Sequence, residues 1–415
     1  MLRERNFRVF ILGYSTSAMG TSMATVALAF AVLDDGGSLT DLSLVMAARI
    51  VPMVLFLIGG GVLGDRLPRR TVMLYSDCLR ALAQGGVATL FIVGTPPLWA
   101  LLALVGLGGL GEAIFRPSFD GLVPSLVSTG RLQEANALLG LCQSTANVGG
   151  PALAGVLVAL TNPSVVLVVD GLSYLPSIVS LLILRLPDTR PQFKSSVLHD
   201  LRSGWRLFWS YPWLWTVTLQ FTLFNLVVWA PYLVLGPPTA DRNYGGAGAW
   251  GAIVALYGAG SIVGGLFLLG RRPQRPLVVT TLVTFAWAAP SAALALQAPL
   301  AVVCLAAIPA GIANSVFNGL WLTTIQQYVP SEAISRVMSF VAFGAYSVGP
   351  IGLALAGPIA EATSISTVLA AGVIWQLLAN SLILAVPAVR GLRSRTAPEM
   401  SGPAAAEAAE ATSQR

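Results

Sequence analysis

Apolar residues run along this chain in blocks of about 20, the length that crosses roughly 30 Å of hydrocarbon as α-helix. Twelve blocks can be marked, at residues 9–33, 42–63, 71–94, 98–116, 136–160, 164–185, 212–236, 248–269, 277–296, 299–322, 337–360 and 365–389. Short polar gaps separate them. The alternation of apolar and polar positions that marks a membrane β-strand is absent, so a barrel is not expected. The pattern predicts an all-α integral membrane protein with twelve spans, and the even number puts both termini on one side. The start, MLRERNFRVF, is basic and leads into the first block without a convincing cleavage site, so it reads as a retained first helix.

Composition sharpens that picture. The 415 residues are 55% hydrophobic and only 10% charged, where a soluble domain carries about 25% charged residues. The mean hydropathy is +0.76. Cys78, Cys142 and Cys304 lie in or beside apolar blocks with no metal-ligand spacing and read as small apolar side chains. No metal and no cofactor is expected.

Charge sets the orientation. Apart from Arg49 and Arg242, the 24 Lys and Arg residues lie in the termini, in every second loop, or within a few turns of them. The opposite loops hold almost none and carry Asp34, Asp35 and Asp41. Basic loops stay in the cytoplasm, so both termini are expected there, in a cell membrane crossed many times. The same distribution argues against nucleic acid as a partner, because the net charge of +6 forms a ring around one membrane face rather than a patch.

The chain also repeats itself. VPSLVSTGRLQEAN leading to GGPALAG in the first half is echoed by VPSEAISRVMSF leading to VGPIGLALAG, and GGGVLGDRLPRR at 59–70 by GGLFLLGRRPQR at 264–275. The longest internal polar stretch lies between the copies. This predicts a first six-helix bundle over 1–186, a cytoplasmic central loop at 187–211, a second bundle over 212–390 and a disordered cytoplasmic tail at 391–415.

Gly61 stands at the end of span two, and Asp65, Arg66, Arg69 and Arg70 follow in the gap before span three. With the twelve spans and the repeat, they resemble the G-x-x-x-D-R-x-x-R-[RK] loop of the major facilitator superfamily, and the resemblance covers essentially the whole chain. It implies a conformational latch: Asp65 near the positive N-terminus of helix eleven of the other half, and the arginines paired with acids such as Asp120. The plainer reading is that Arg69 and Arg70 are topology signals only. In span five, Gly150, Pro151, Ala154 and Gly155 resemble the G-P-x-x-G-G motif of exporters in this superfamily, with Ala at the first of the two final glycines. Generic helix packing is the alternative there. AN-AL at 135–138 ahead of that motif resembles the branch of enterobactin exporters and macrolide efflux proteins.

Ionisable residues inside a membrane are costly and mark sites by default. Arg49 in span two, Glu112 in span four and Asp170 in span six are the coupling candidates. Glu112 is placed near the inner end of its span, with Arg116 four residues on as a possible partner. Asp77 and Arg80, three residues apart on span three, read as a self-paired structural couple. Proton coupling is implied by the resemblance. Against it, the ALVGLGGLGEA segment lacks the helix-four arginine of many proton-coupled exporters. Tyr14, Ser17, Thr21, Gln220, Asn225, Trp229, Asn314, Asn318 and Trp321 are the polar and aromatic candidates for a central cavity, a lining suited to a large, mostly apolar ligand. Interhelical hydrogen bonding is the other reading for each.

The resemblance therefore implies a secondary active transporter, a monomer that exports a drug-like or siderophore-like molecule in exchange for protons by alternating access. A metabolite importer of the same fold and a non-transporting membrane sensor are the alternatives. An enzyme is not expected: His199 is the sole histidine and lies in the central loop, and no H-E-x-x-H, cysteine cluster or P-loop is present.

Overall fold

In the computed structural model, the described residues are 4–66, 68–127, 131–184, 197–271, 273–330 and 333–394, without the side chains of 57–66, 133, 197–203 and 335. They are helical throughout, as the hydropathy requires. The first six spans are α1 (Arg5–Asp34), α2 (Leu39–Arg66), α3 (Arg69–Val93), α4 (Leu98–Leu126), α5 (Leu132–Leu160) and α6 (Pro163–Ile183). The next six follow a short connecting helix, α7 (Val197–Ser210). They are α8 (Pro212–Tyr244), α9 (Ala247–Leu268), α10 (Pro276–Ala295) and α11 (Leu300–Tyr328), α12 (Ile334–Ser347 and Gly349–Ala362, broken at Val348) and α13 (Ile365–Ala385). Ten of the twelve are apolar enough over 18 residues to count as spans on composition alone. The other two, α3 and α5, carry Asp77, Arg80, Gln143 and Asn147 and lie alongside them.

Several helices outrun their apolar blocks. α4 continues ten residues past 116, to Leu126, because a helix persists beyond the hydrocarbon as long as its backbone bonds do. The central segment contains a helix where only a polar loop was expected. Phe208 of α7 is buried, while the Trp205 ring meets Phe340 of α12 at 5.4 Å. α8 holds a π-helical turn, Asn225–Trp229, and α10 a 3-10 turn, Thr284–Trp287. The residues of 391–394 end the described chain, and the rest of the expected tail lies outside the described residues.

The helices form two six-helix bundles. In the first, α1 packs on α5 and α6, and α4 on α2 and α3; in the second, α11 packs on α9 and α10, and α10 on α13. The bundles meet where α5 lies on α9 and α2 on α12. Their buried cores are divided unevenly. At the end opposite the termini, one core runs through both bundles, from Met23, Phe30, Leu42 and Ala154 to Leu235, Trp250, Ile253 and Leu353. At the terminal end there are two separate cores. One holds Phe7, Phe10, Met73 and Phe119 of the first bundle, the other Trp213, Leu277, Phe317 and Ile325 of the second.

Candidate functional site

Glycines decide how α4 sits. A Cβ on Gly109 would collide with the Arg49 carbonyl oxygen of α2, and one on Gly111 would fall 2.6 Å from Arg80 Cγ of α3. The Gly111 carbonyl also accepts a 2.8 Å hydrogen bond from Ser76 Oγ. With these two positions bare, α4 lies against both neighbours and carries Glu112 between them. Arg49 Nη2 donates to Glu112 Oε2 at 3.0 Å. The expected partner was Arg116. It stays exposed and attracts Glu112 only as a secondary charge, because the α2 guanidinium reaches the carboxylate first. Glu112 is also not near the end of its helix: it is the fifteenth residue of the 29 in α4, about 21 Å along its axis.

Arg80 has more partners than an isolated couple. It pairs with Asp77 at 3.5 Å, donates to Thr21 Oγ1 of α1 at 3.2 Å, and lies over the rings of Phe115 at 5.4 Å and Tyr174 at 4.7 Å. Cation–π contact of this kind fixes a guanidinium in a desolvated site. Thr21 and the Tyr174 hydroxyl are 2.9 Å apart. Ser177 Oγ donates to Asp77 Oδ2 at 2.6 Å, so α1, α3, α4 and α6 are joined by one polar network.

Asp170 of α6 is 2% exposed. Gly20 of α1 makes room for it: a Cβ there would lie 2.8 Å from Asp170 Oδ1. The carboxylate accepts a long 3.5 Å bond from Ser173 Oγ, and both Arg49 and Arg80 attract it. Among the described residues, no guanidinium stands within salt-bridge distance of it. The three coupling candidates, from three separate helices, thus converge in one cluster. Asp77, Glu112 and Asp170 supply three carboxylates, and Arg49 and Arg80 two guanidinium groups. The cluster lies between the shared core and the separate core of the first bundle: Glu112 falls between Val105 of the one and Phe115 of the other.

The latch residues divide. Arg69 donates to the Gly121 carbonyl of α4. Arg70 donates to the carbonyls of Leu181 at 2.5 Å and Leu182 at 2.8 Å, in the last turn of α6. Such terminal carbonyls lack intrahelical partners and attract cations. The expected pairing of these arginines with Asp120 is therefore not formed, and Asp120 is exposed. The side chains of Gly61, Asp65 and Arg66 lie outside the described residues.

The helix-five motif lies where the bundles touch. A Cβ on Gly150 would meet Ser22 Cβ of α1 at 2.5 Å, and one on Gly155 the Ala247 carbonyl of α9 at 2.8 Å. From the other side, a Cβ on Gly251 of α9 would meet the Pro151 carbonyl at 2.6 Å. Ala154 is fully buried in the shared core.

The cavity candidates separate into two kinds. Tyr14 is half-buried and donates to Gln143 Oε1 at 2.7 Å. Asn225 opens the π-turn and donates to the Phe221 carbonyl at 2.9 Å. Trp229 closes that turn, half-buried, 5.6 Å from the Tyr257 ring. Asn318 is exposed and bonds Asn314 Oδ1 at 3.2 Å. Trp321 is different: it is 7% exposed and packs edge-on to Trp213 at 5.8 Å, so it is core and not lining. Gln220 is likewise buried and donates to Asn380 at 3.1 Å, and Ser17 is buried within α1. Polar identity at helical spacing could not distinguish these from lining residues.

Comparison with known proteins agrees with this architecture. The profile of a family described as "Transmembrane secretion effector" matches residues 1–413. The multidrug efflux pump Tap of Mycolicibacterium fortuitum is 27% identical over 397 residues, covering 91% of this chain and 94% of that protein. Macrolide efflux protein A of Streptococcus pyogenes is 22% identical, over 91% and 93%. Among solved structures, an inward-facing bacterial homologue of the iron transporter ferroportin superposes with a TM-score of 0.74 at 19% identity, covering 92% of this chain and 98% of that one. That likeness concerns the fold.

Proposed function

The chain belongs to the major facilitator family of transmembrane secretion effectors, and from that premise we propose that it exports drug-like organic molecules across the cell membrane in exchange for protons, by alternating access. The observation that carries this reading is the level of the ionic cluster. It lies where a core shared by both bundles gives way to one core in each bundle. A change of charge there acts on the boundary that must open and close as the bundles rock.

Asp170 is the proposed proton carrier. Three carboxylates face two guanidinium groups, and Asp170 is the one held by no ion pair among the described residues. A buried charge without a partner is the most favourable to neutralise. Protonation removes one anion from between Arg49 and Arg80. Those arginines then turn more strongly to Glu112 of α4, drawing α2 and α3 against α4. Release of the proton restores the earlier arrangement. Arg80 is a positioning residue, held by Thr21, Phe115 and Tyr174. The proposed cavity is shared by the Arg49–Glu112 pair, the half-buried part of the ionic cluster, and by the aromatic face of the second bundle around Trp229 and Tyr257. Asp65, with Gly61 and Arg66, is proposed to hold the opposite, cytoplasmic face closed. The protein is proposed to act as a monomer, with both termini in the cytoplasm and without catalysing a reaction. Export, rather than uptake, is supported by the helix-five motif and by the relatives' activities.

Inverted membrane vesicles test the reading. With an acidic lumen, a macrolide added outside should accumulate, and a protonophore should abolish the accumulation. Accumulation indifferent to the gradient would overturn the antiport mechanism.

A further inference from the structure

At the end opposite the termini, the N-terminus of α2 is capped twice. Within the chain segment, Asp41 N donates to Ser38 Oγ at 3.0 Å, and Ser38 N and Oγ donate to Asp41 Oδ2 at 2.9 and 2.8 Å. This is a capping box in miniature. The second cap comes from the other bundle. Thr40 N donates to Glu361 Oε1 at 2.9 Å, and Thr40 Oγ1 donates to Glu361 Oε2 at 2.6 Å. Glu361 is in the last turn of α12. Its carboxylate therefore accepts from an otherwise unpaired helix N-terminal donor and faces the positive end of the α2 dipole.

One turn deeper, the Gly357 amide of α12 donates to Ser43 Oγ of α2 at 2.7 Å. A Cβ on Gly357 would collide with the Leu39 carbonyl, so the two helices are pressed together at this level. The equivalent contact in the other pair of helices, α5 on α9, is made by Gly155, Gly248 and Gly251 against backbone. One seam between the bundles is thus smooth and apolar, and the other is hydrogen-bonded. Beside the bonded seam is a cavity of about 490 Å³, lined among others by Ser38, Arg242, Gln297 and Glu361, so solvent can replace the bonds when they part.

We propose that Glu361 is a gating residue: by capping α2 in trans, it clasps the outer face shut, and the clasp must break each time the protein opens outward. The proposal rests on the alternating-access reading. It predicts that loss of Glu361 shifts the resting population toward the outward-open state, since charge-assisted bonds to an exposed carboxylate are worth a few-fold to tenfold in an equilibrium.

The test is a distance measurement by pulsed electron paramagnetic resonance on the full chain in nanodiscs. Spin labels are placed at Thr95 and Leu296, both exposed in outer loops of opposite bundles, after Cys78, Cys142 and Cys304 are replaced by Ser. Glu361→Ala should raise the long-distance population about three- to tenfold. Glu361→Gln, which keeps one acceptor, should raise it less. Thr40→Val should shift it in the same direction, and the double variant Thr40→Val/Glu361→Ala should add little to Glu361→Ala alone. Asp35→Ala, an outer acid outside the clasp, should leave the distribution unchanged. A distribution in Glu361→Ala and Glu361→Gln identical to the parent's overturns the clasp, as do fully additive effects of Thr40→Val and Glu361→Ala. The measurement needs neither substrate nor gradient. Failure of macrolide export with the shift intact would overturn the exporter reading alone.

Discussion

The Arg49 guanidinium of α2 donates to the Glu112 carboxylate of α4 across 3.0 Å, one turn from the point where Gly109 presses α4 onto the Arg49 backbone. Position and charge are therefore set together: the missing side chain brings the helices close, and the ion pair uses the closeness. Glu112→Gln is expected to leave a cation without its counter-charge. The side chains are 29% and 34% exposed, so the cost should be about 1–2 kcal/mol, below that of a fully buried pair. Thermal unfolding in detergent should show the loss, and Arg49→Gln/Glu112→Gln should recover most of it. No recovery would mean the two charges are not coupled.

Replacing the odd carboxylate separates coupling from binding. In inverted vesicles, Asp170→Asn should transport at a rate indifferent to luminal acidification, whereas the parent should accelerate as the lumen is acidified. Substrate affinity, measured by tryptophan quenching, should stay within about threefold, since Asp170 is 2% exposed and out of a ligand's reach. A pH profile like the parent's would remove Asp170 from the proton path.

Two adjacent glycines make a controlled pair. Gly109→Val places carbon against the Arg49 carbonyl and should lower stability by about 1–3 kcal/mol through overpacking, with transport reduced about tenfold. Gly108 has nothing within 4 Å of where a Cβ would stand, and Gly108→Val should be mild. Equal effects would deny the close approach of α4 to α2.

A similar contrast exists on α9. Gly251→Val drives a side chain into the Pro151 carbonyl and should hold the outer face apart, abolishing transport and lengthening the Thr95–Leu296 distance. Gly248→Ala meets its nearest atom at 3.9 Å and should be tolerated. Export by Gly251→Val at the parental rate would exclude this seam from the cycle.

Trp229 and Trp321 should also part company. Trp229→Ala, on the half-buried face, is expected to raise the apparent KM several-fold with an unaltered pH profile. Trp321→Ala, in the core of the second bundle, should instead destabilise by about 3–5 kcal/mol. Thermal unfolding and transport, measured on both variants, would show the opposite pattern if Trp321 lined the cavity.

Hydropathy made the spans legible because hydrocarbon allows so few backbone solutions. It could not show where α4 ends, since Pro117 to Leu126 leave the apolar block but not the helix, and so Glu112 was misplaced along its axis. α7 was hidden because polarity dominates 187–211, although Trp205, Phe208 and Trp209 carry an amphipathic spacing. Within the site, charge inside a span identified Arg49, Glu112 and Asp170 individually. Their partners were not legible, because partnership depends on which helices touch. Here the glycines of the GLGGLGEA segment held unused information: Gly109 and Gly111 record the two neighbours of α4. Arg80 was underrated for a related reason, as Asp77 supplied an adequate partner within its own helix and concealed Thr21, Phe115 and Tyr174.

The smallness of the residues along α5 and α9 bears on energy conversion. Ala154, Gly155, Ala247 and Gly251 are buried while the mouth opposite the termini is shut and would be wetted when it gapes. Every 100 Å² of apolar surface bared costs about 2.5 kcal/mol, whereas a proton falling through 100 mV releases only about 2.3 kcal/mol. Bulky side chains there would make the opening stroke too steep for one ion to drive. In the proposed proton exchange, methyls and hydrogens would keep the two poses close enough in free energy for a single proton to tip the balance.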